Sequence, residues 1–138
     1  MDLPAPAETP ADLAGRPHWS APLAAEARAA ARNGRVGSTL VSETDRYRVW
    51  LIALEPGARL GFHTHVLDYF WVATSEGRAR SRRPDGSVTE MDYHTGLTRH
   101  MAFDPGESMT HDLENIGETV LTFTTVEDKR SANAPLPL

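Results

Sequence analysis

From Val36 onward the chain is cut at regular intervals by turn residues: Glu55-Pro56-Gly57, Pro84-Asp85-Gly86, His94-Thr95-Gly96, Asp104-Pro105-Gly106 and Asn115-Ile116-Gly117. Each places a glycine where a tight turn needs positive φ or a proline where it needs a fixed φ. The runs between them are short and rich in β-branched and aromatic residues, the signature of an antiparallel sandwich or barrel. This pattern predicts strands over 38–44, 46–54, 60–65, 68–75, 77–83, 87–93, 97–103, 107–115 and 119–126, with the hairpin 77–93 the clearest element. There is no internal repeat.

The flanks read differently. Residues 1–20 are rich in Ala and Pro and carry few large apolar groups, so they are read as a loose arm. Ser20, Pro22 and the run LAAEARAAARNG, closed by Asn33-Gly34, predict a short helix over about 21–33. Its apolar face is mostly alanine and needs a broad neighbour, either its own sheet or a second subunit. The tail SANAPLPL holds Pro135 and Pro137, which bar it from a central strand and leave it to the surface or a partner. The expected organisation is an arm and helix over 1–36, a β-barrel over 37–128 and a tail over 129–138.

Composition narrows the chemistry. At 138 residues, 40% hydrophobic and 24% charged, the chain suits one soluble domain, and such a domain buries roughly 70% of its unfolded surface without cross-links. There is no cysteine, so disulfides and thiolate metal sites are excluded and any metal must sit on histidine or carboxylate. A net charge of −5 argues against a nucleic-acid partner. No apolar run approaches the roughly 20 residues that span a bilayer. The opening MDLPAPAETP has neither a basic leader nor an apolar stretch, which makes the cytoplasm the expected location.

The segment GARLGFHTHVLDYFW holds the chemistry. His63 and His65 stand two apart on a predicted strand and so point to one face, close enough to share an ion if a third ligand comes from a neighbouring strand. His111, in MTHDLEN, is that third candidate. Spacing alone leaves open that the first two histidines are simply solvated on an outer face.

The wider pattern is Gly57, five residues, His63-Thr64-His65, Gly77, then Pro105-Gly106, His111 and Asn115. It resembles the cupin superfamily, whose first motif has G, five residues, HxH, then E and G, and whose second ends in PxG, H and N. The resemblance covers about residues 40–127 and is greatest to small single-domain monocupins. It implies an all-β fold: an antiparallel jelly-roll barrel preceded by one short helix, holding a divalent ion on His63, His65 and His111.

Two departures from the motif bear on the ligands. The position of the usual glutamate is Tyr69, or Phe70 in the alternative slot, so the carboxylate is lost or has moved to Asp68. By strand parity Tyr69 shares the histidines' face and Asp68 does not. The stretch between Pro105 and His111 is also longer than usual, leaving room for a bulge that would aim Glu107 inward as a reserve ligand.

The resemblance therefore implies a metal-dependent enzyme acting on a small, anionic or enolisable molecule. An Fe(II) dioxygenase is the leading reading, with zinc, nickel or manganese as other ions. The alternatives are a lyase, isomerase or dehydratase, and a non-catalytic cupin that binds a small ligand. A homodimer is expected, paired through an edge strand and the arm.

Other residues divide between function and packing. Tyr69 is the candidate general acid, and Arg59 the candidate clamp for a substrate carboxylate at the barrel mouth. Arg78, Arg80 and Arg82 share one face, read as solvated, with an anion clamp as the alternative. Phe70 and Trp71 are read as packing, and Met101, Phe103 and Met109 as barrel filling. His94 is left to solvent, His100 to an outer face or the cavity, and Asn115 to tying down its turn.

Overall fold

The computed structural model describes residues 13–138, so the first twelve residues of the expected arm lie outside the described residues. Helix α1 (Ala21–Ala29) is capped by Ser20, whose Oγ accepts from Leu23 N, and runs into a single 3-10 turn at Ala30–Arg32. Asn33 ends it by turning its amide outward to donate to Phe62 O at 3.0 Å.

The strands are β1 (Thr39–Glu43), β2 (Tyr47–Leu54), β3 (Arg59–His65), β4 (Asp68–Ala73), β5 (Gly77–Arg82), β6 (Val88–Tyr93), β7 (Thr98–Met101), β8 (Met109–Asn115) and β9 (Leu121–Asp128). They form two sheets, ordered β1-β2-β9-β4-β7 and β3-β8-β5-β6, and every pairing is antiparallel. This is the all-β jelly roll preceded by a short helix, α1, that the resemblance implies. Turn glycines Gly57 and Gly106 hold φ of 84° and 83°, where a side chain would be strained.

Strand ends differ from expectation by at most two residues, for local reasons. β7 stops at Met101 because Phe103 N donates to the Asp68 carboxylate. β8 starts at Met109 because residues 104–107 close a turn, with Glu107 N bonded to Asp104 O. β9 is displaced toward the C-terminus, where Asp128 pairs with both Tyr47 and Asp68.

Two apolar clusters hold the molecule. One fills the space between the sheets with Ile52, Leu54, Ala73, Ala79, Leu121 and Phe123. The other lies on the outer face of β3, where Phe62 meets Leu13, Trp19, Ala24, Ala27 and Ala30. The alanine face of α1 therefore finds its neighbour in its own sheet. Residues 13–20 are not loose: Trp19 is buried, stacks on Phe62 with ring centroids 5.5 Å apart, and donates through Nε1 to Gly86 O. One large aromatic supplies the burial that an Ala/Pro composition hides.

The tail lies on the surface of its own barrel. Asn133 donates to Val66 O and Asp104 O, and Leu136 O accepts from Arg48. Among the described residues no helix is long and apolar enough to cross a membrane.

Candidate metal centre

β3 carries two histidines inward and is covered on its other face by α1 and the 3-10 turn. Thr64, pointing outward, donates to Ala30 O and its N–H donates to Asn33 O. The strand is thus enclosed from both sides, which strips solvent from His63 and His65. In the β3–β8 ladder His63 stands opposite His111. The three rings form a near-equilateral triangle, with centroids 5.0, 4.7 and 5.1 Å apart. One nitrogen from each lies within 4.8 Å of the other two, and no carboxylate among the described residues joins the group.

Hydrogen bonding indicates which nitrogens are free. His63 Nδ1 lies 2.8 Å from Gly61 O and donates to it, leaving its Nε2 lone pair bare. Ser81 Oγ donates to Asp112 O at 2.8 Å and so accepts from His111 Nδ1 at 3.3 Å, which frees His111 Nε2. His65 Nε2 sits 3.2 Å from His111 Nε2, while His65 Nδ1 is buried without a partner.

A neutral His65 with its proton on Nε2 can donate to His111 Nε2 and leaves the His63 lone pair bare; to meet all three nitrogens takes an added proton or a cation. Burial holds His63 at about 4 and drives His65 and His111 well below the usual imidazole range, so protonation is a poor solution. Neutral, converging imidazoles, with the far nitrogens of His63 and His111 anchored, are a donor set that fits a divalent ion. His63, His65 and His111 would hold it.

The centre opens on a cavity of about 60 Å³ with apolar walls that include Ile52, Leu60, Trp71, Leu113 and Phe123. Tyr69 lines it and stacks on His65, centroids 4.0 Å apart at 14°. Burial pushes its phenol far up, so it stays protonated.

Other candidates are placed elsewhere. Arg59 does not reach the cavity: it pairs with Glu26 of α1 and, at 3.0 Å, with Asp112 on the outer face. The cause is a β-bulge. Leu60 pairs with Leu113 and His63 with His111, so β3 spends one residue more than β8 and parity inverts between them.

Glu107 is exposed and accepts from Asp104 N at 2.6 Å, because the longer loop closes a turn rather than an inward bulge. Asp68 faces outward, and His100 packs on Phe70 on the same outer side. Phe103 stacks on Tyr69. Asn115 ties its turn through Leu54 O, Thr119 O and Gly117 N. Sequence reasoning missed Ser81 and Gly61 as partners of the histidines. Ser81 was legible through its parity, opposite to Arg80 and Arg82.

No protein-family profile matches the sequence, and no curated protein matches it. Solved structures do. A cupin domain from Bordetella pertussis Tohama I aligns with a TM-score of 0.58 at 24% identity, over 66% of this chain and 90% of that one. A conserved protein with a double-stranded β-helix domain from Klebsiella pneumoniae aligns at 0.52 and 26% identity, over 71% of this chain and 74% of that one. A cupin superfamily protein from Desulfitobacterium hafniense aligns at 0.50 and 14% identity, over 71% and 81%. The chain thus has the double-stranded β-helix fold of these cupin structures, with a histidine group on its paired inner strands.

Proposed function

We propose that the chain is a metal-dependent enzyme acting on a small organic molecule: an Fe(II) dioxygenase that cleaves a carbon–carbon bond in an enolisable or hydroxylated carbonyl compound. The observation that carries this reading is the all-imidazole donor set at the inner end of an apolar cavity. Three neutral donors leave a divalent ion its full charge, which favours an anionic, chelating substrate. When bound, a ferrous ion would supply redox chemistry with dioxygen.

The chain's own residues do the rest. Gly61 O and Ser81 Oγ hold His63 and His111 in one tautomer and orientation. The apolar walls exclude water from the reacting end of the substrate. Tyr69, protonated and stacked on His65, is the residue to donate a proton to a substrate oxygen held beside that ring. For assembly we propose a homodimer through the edge strand β1, where Val41 is exposed, as is Leu51 on the adjoining β2, and light scattering at twice the chain mass is the expected result.

Elemental analysis of protein purified without a metal-affinity tag tests the function. About one iron per chain, lost in both His63→Ala and His111→Ala, followed by oxygen uptake with diketones or catechols, is the expected outcome. Zinc, nickel or manganese without oxygen uptake would replace it with a lyase, isomerase or dehydratase in which the ion polarises a carbonyl and Tyr69 moves the proton. Failure to take up any ion after reconstitution would leave a non-catalytic small-ligand binder.

A further inference from the structure

The arginines around β5 and β7 divide into two kinds. Arg78, Arg80 and Arg82 face outward, and each is paired: Arg78 with Glu90 and Asp92, Arg80 with Glu90 and Glu114, Arg82 with Asp112 and Glu114. Arg83 and Arg99 have the opposite parity. Arg83, one residue past β5, has the parity of Ala79 and Ser81, and Arg99 on β7 stands opposite the inward Trp71; both arginines are exposed. Both line a second chamber of about 120 Å³, which shares Tyr69, Trp71, Tyr93 and His111 with the inner cavity and so leads to the histidines.

Neither of these two guanidiniums makes an ion pair or hydrogen bond with another described residue. The acid nearest in effect to Arg83 is Asp85, and its carboxylate accepts from Ser87 N at 2.8 Å. The charge of Arg83 acts on both His111 and Tyr69, and that of Arg99 on Tyr69 and Tyr93. The chamber wall between the two arginines includes Met91, Met101, Met109 and Leu113, a deformable apolar surface. In a chain of net charge −5, two exposed cations that line one chamber, with no ion pair to a described residue, are a local reversal of sign.

We propose that Arg83 and Arg99 form a carboxylate-binding subsite at the mouth of this chamber. It holds the acid group of a substrate whose apolar body lies along Trp71 and the methionines and whose oxygen-bearing end reaches the three histidines. This rests on the enzymatic reading above and gives it a substrate class, a small carboxylic acid with a flat or extended apolar body. Two planar guanidinium forks suit the two oxygens of a carboxylate.

The test is calorimetric titration of the full chain, metal-loaded and chelator-stripped, with 3-phenylpropanoate and its neutral isostere 3-phenylpropanamide. The acid is expected to bind at least about tenfold tighter than the amide. Arg83→Gln and Arg99→Gln should each remove about that factor from acid binding while leaving amide binding and metal content unchanged, and lysine at either position should restore part of it. Equal binding of acid and amide by the wild type overturns the subsite. So does acid binding that survives the double glutamine variant, or tighter binding of phenyl phosphate than of the acid. The two readings fail separately: absence of metal uptake sinks the enzymatic one, whereas the acid preference is read in the stripped protein.

Discussion

Removal of the Trp19 side chain tests whether the segment before α1 is part of the fold. A tryptophan buries about 150–250 Å², and at about 25 cal/mol per Å² the loss comes to about 4–6 kcal/mol. That is an upper figure, since the unfolded chain already shields some of this surface. Core Trp→Ala substitutions cost about 3–5 kcal/mol, which is the range expected for Trp19→Ala. At about 3 °C per kcal/mol for a domain of this size, the melting midpoint should fall by about 10–15 °C. Trp19→Phe keeps the stack on Phe62 and loses the bond to Gly86 O, for a cost of about 1 kcal/mol. Thermal denaturation by circular dichroism reads all three proteins, and hydrogen exchange at Thr64 N, bonded to Asn33 O, should quicken in the alanine variant. A Trp19→Ala midpoint no lower than that of Trp19→Phe would refute the packing argument.

Three further outcomes are expected. Ser81→Ala, which frees His111 Nδ1, should weaken metal binding by about 10–100-fold in a chelator competition without lowering the melting midpoint by more than a few degrees. Asn115→Ala removes bonds to Leu54 O, Thr119 O and Gly117 N, and should cost about 1–3 kcal/mol in urea denaturation. Burial pushes the Glu26 carboxyl up, but hydrogen bonds from Arg59 and Phe62 N outweigh it and hold the group below the ordinary glutamate range. A depressed carboxyl stabilises the fold above its unfolded pKa and loses that contribution as pH falls through the folded one. Glu26→Gln should therefore flatten the acid side of the stability profile, and a profile unchanged from wild type would contradict the pairing.

The barrel was legible because its turns are written in glycine and proline and its strands are short. The histidine pair was legible because alternation along a strand needs no tertiary knowledge, and Tyr69 followed from the same alternation. Arg59, expected at the barrel mouth just before the histidine strand, lies instead on the outer face, because the bulge between Leu60 and His63 is a property of pairing with β8, invisible in β3 alone. Trp19 was unreadable locally, since its partner Phe62 lies far along the chain. Glu107 was lost to a turn that its own side chain helps close.

The alternation of charges along Gly77–Arg82 makes strand length a functional quantity. Substitution within this stretch alters one wall of the β5 layer, the paired outer row or the chamber. Deletion or insertion of a single residue between Gly77 and Pro84 would exchange the two walls together, turning paired arginines into the chamber and leaving their acids facing water. Among natural variants of this protein, changes of residue type are thus expected here far more often than changes of spacing. A length variant that kept the chamber would need a compensating bulge on β5.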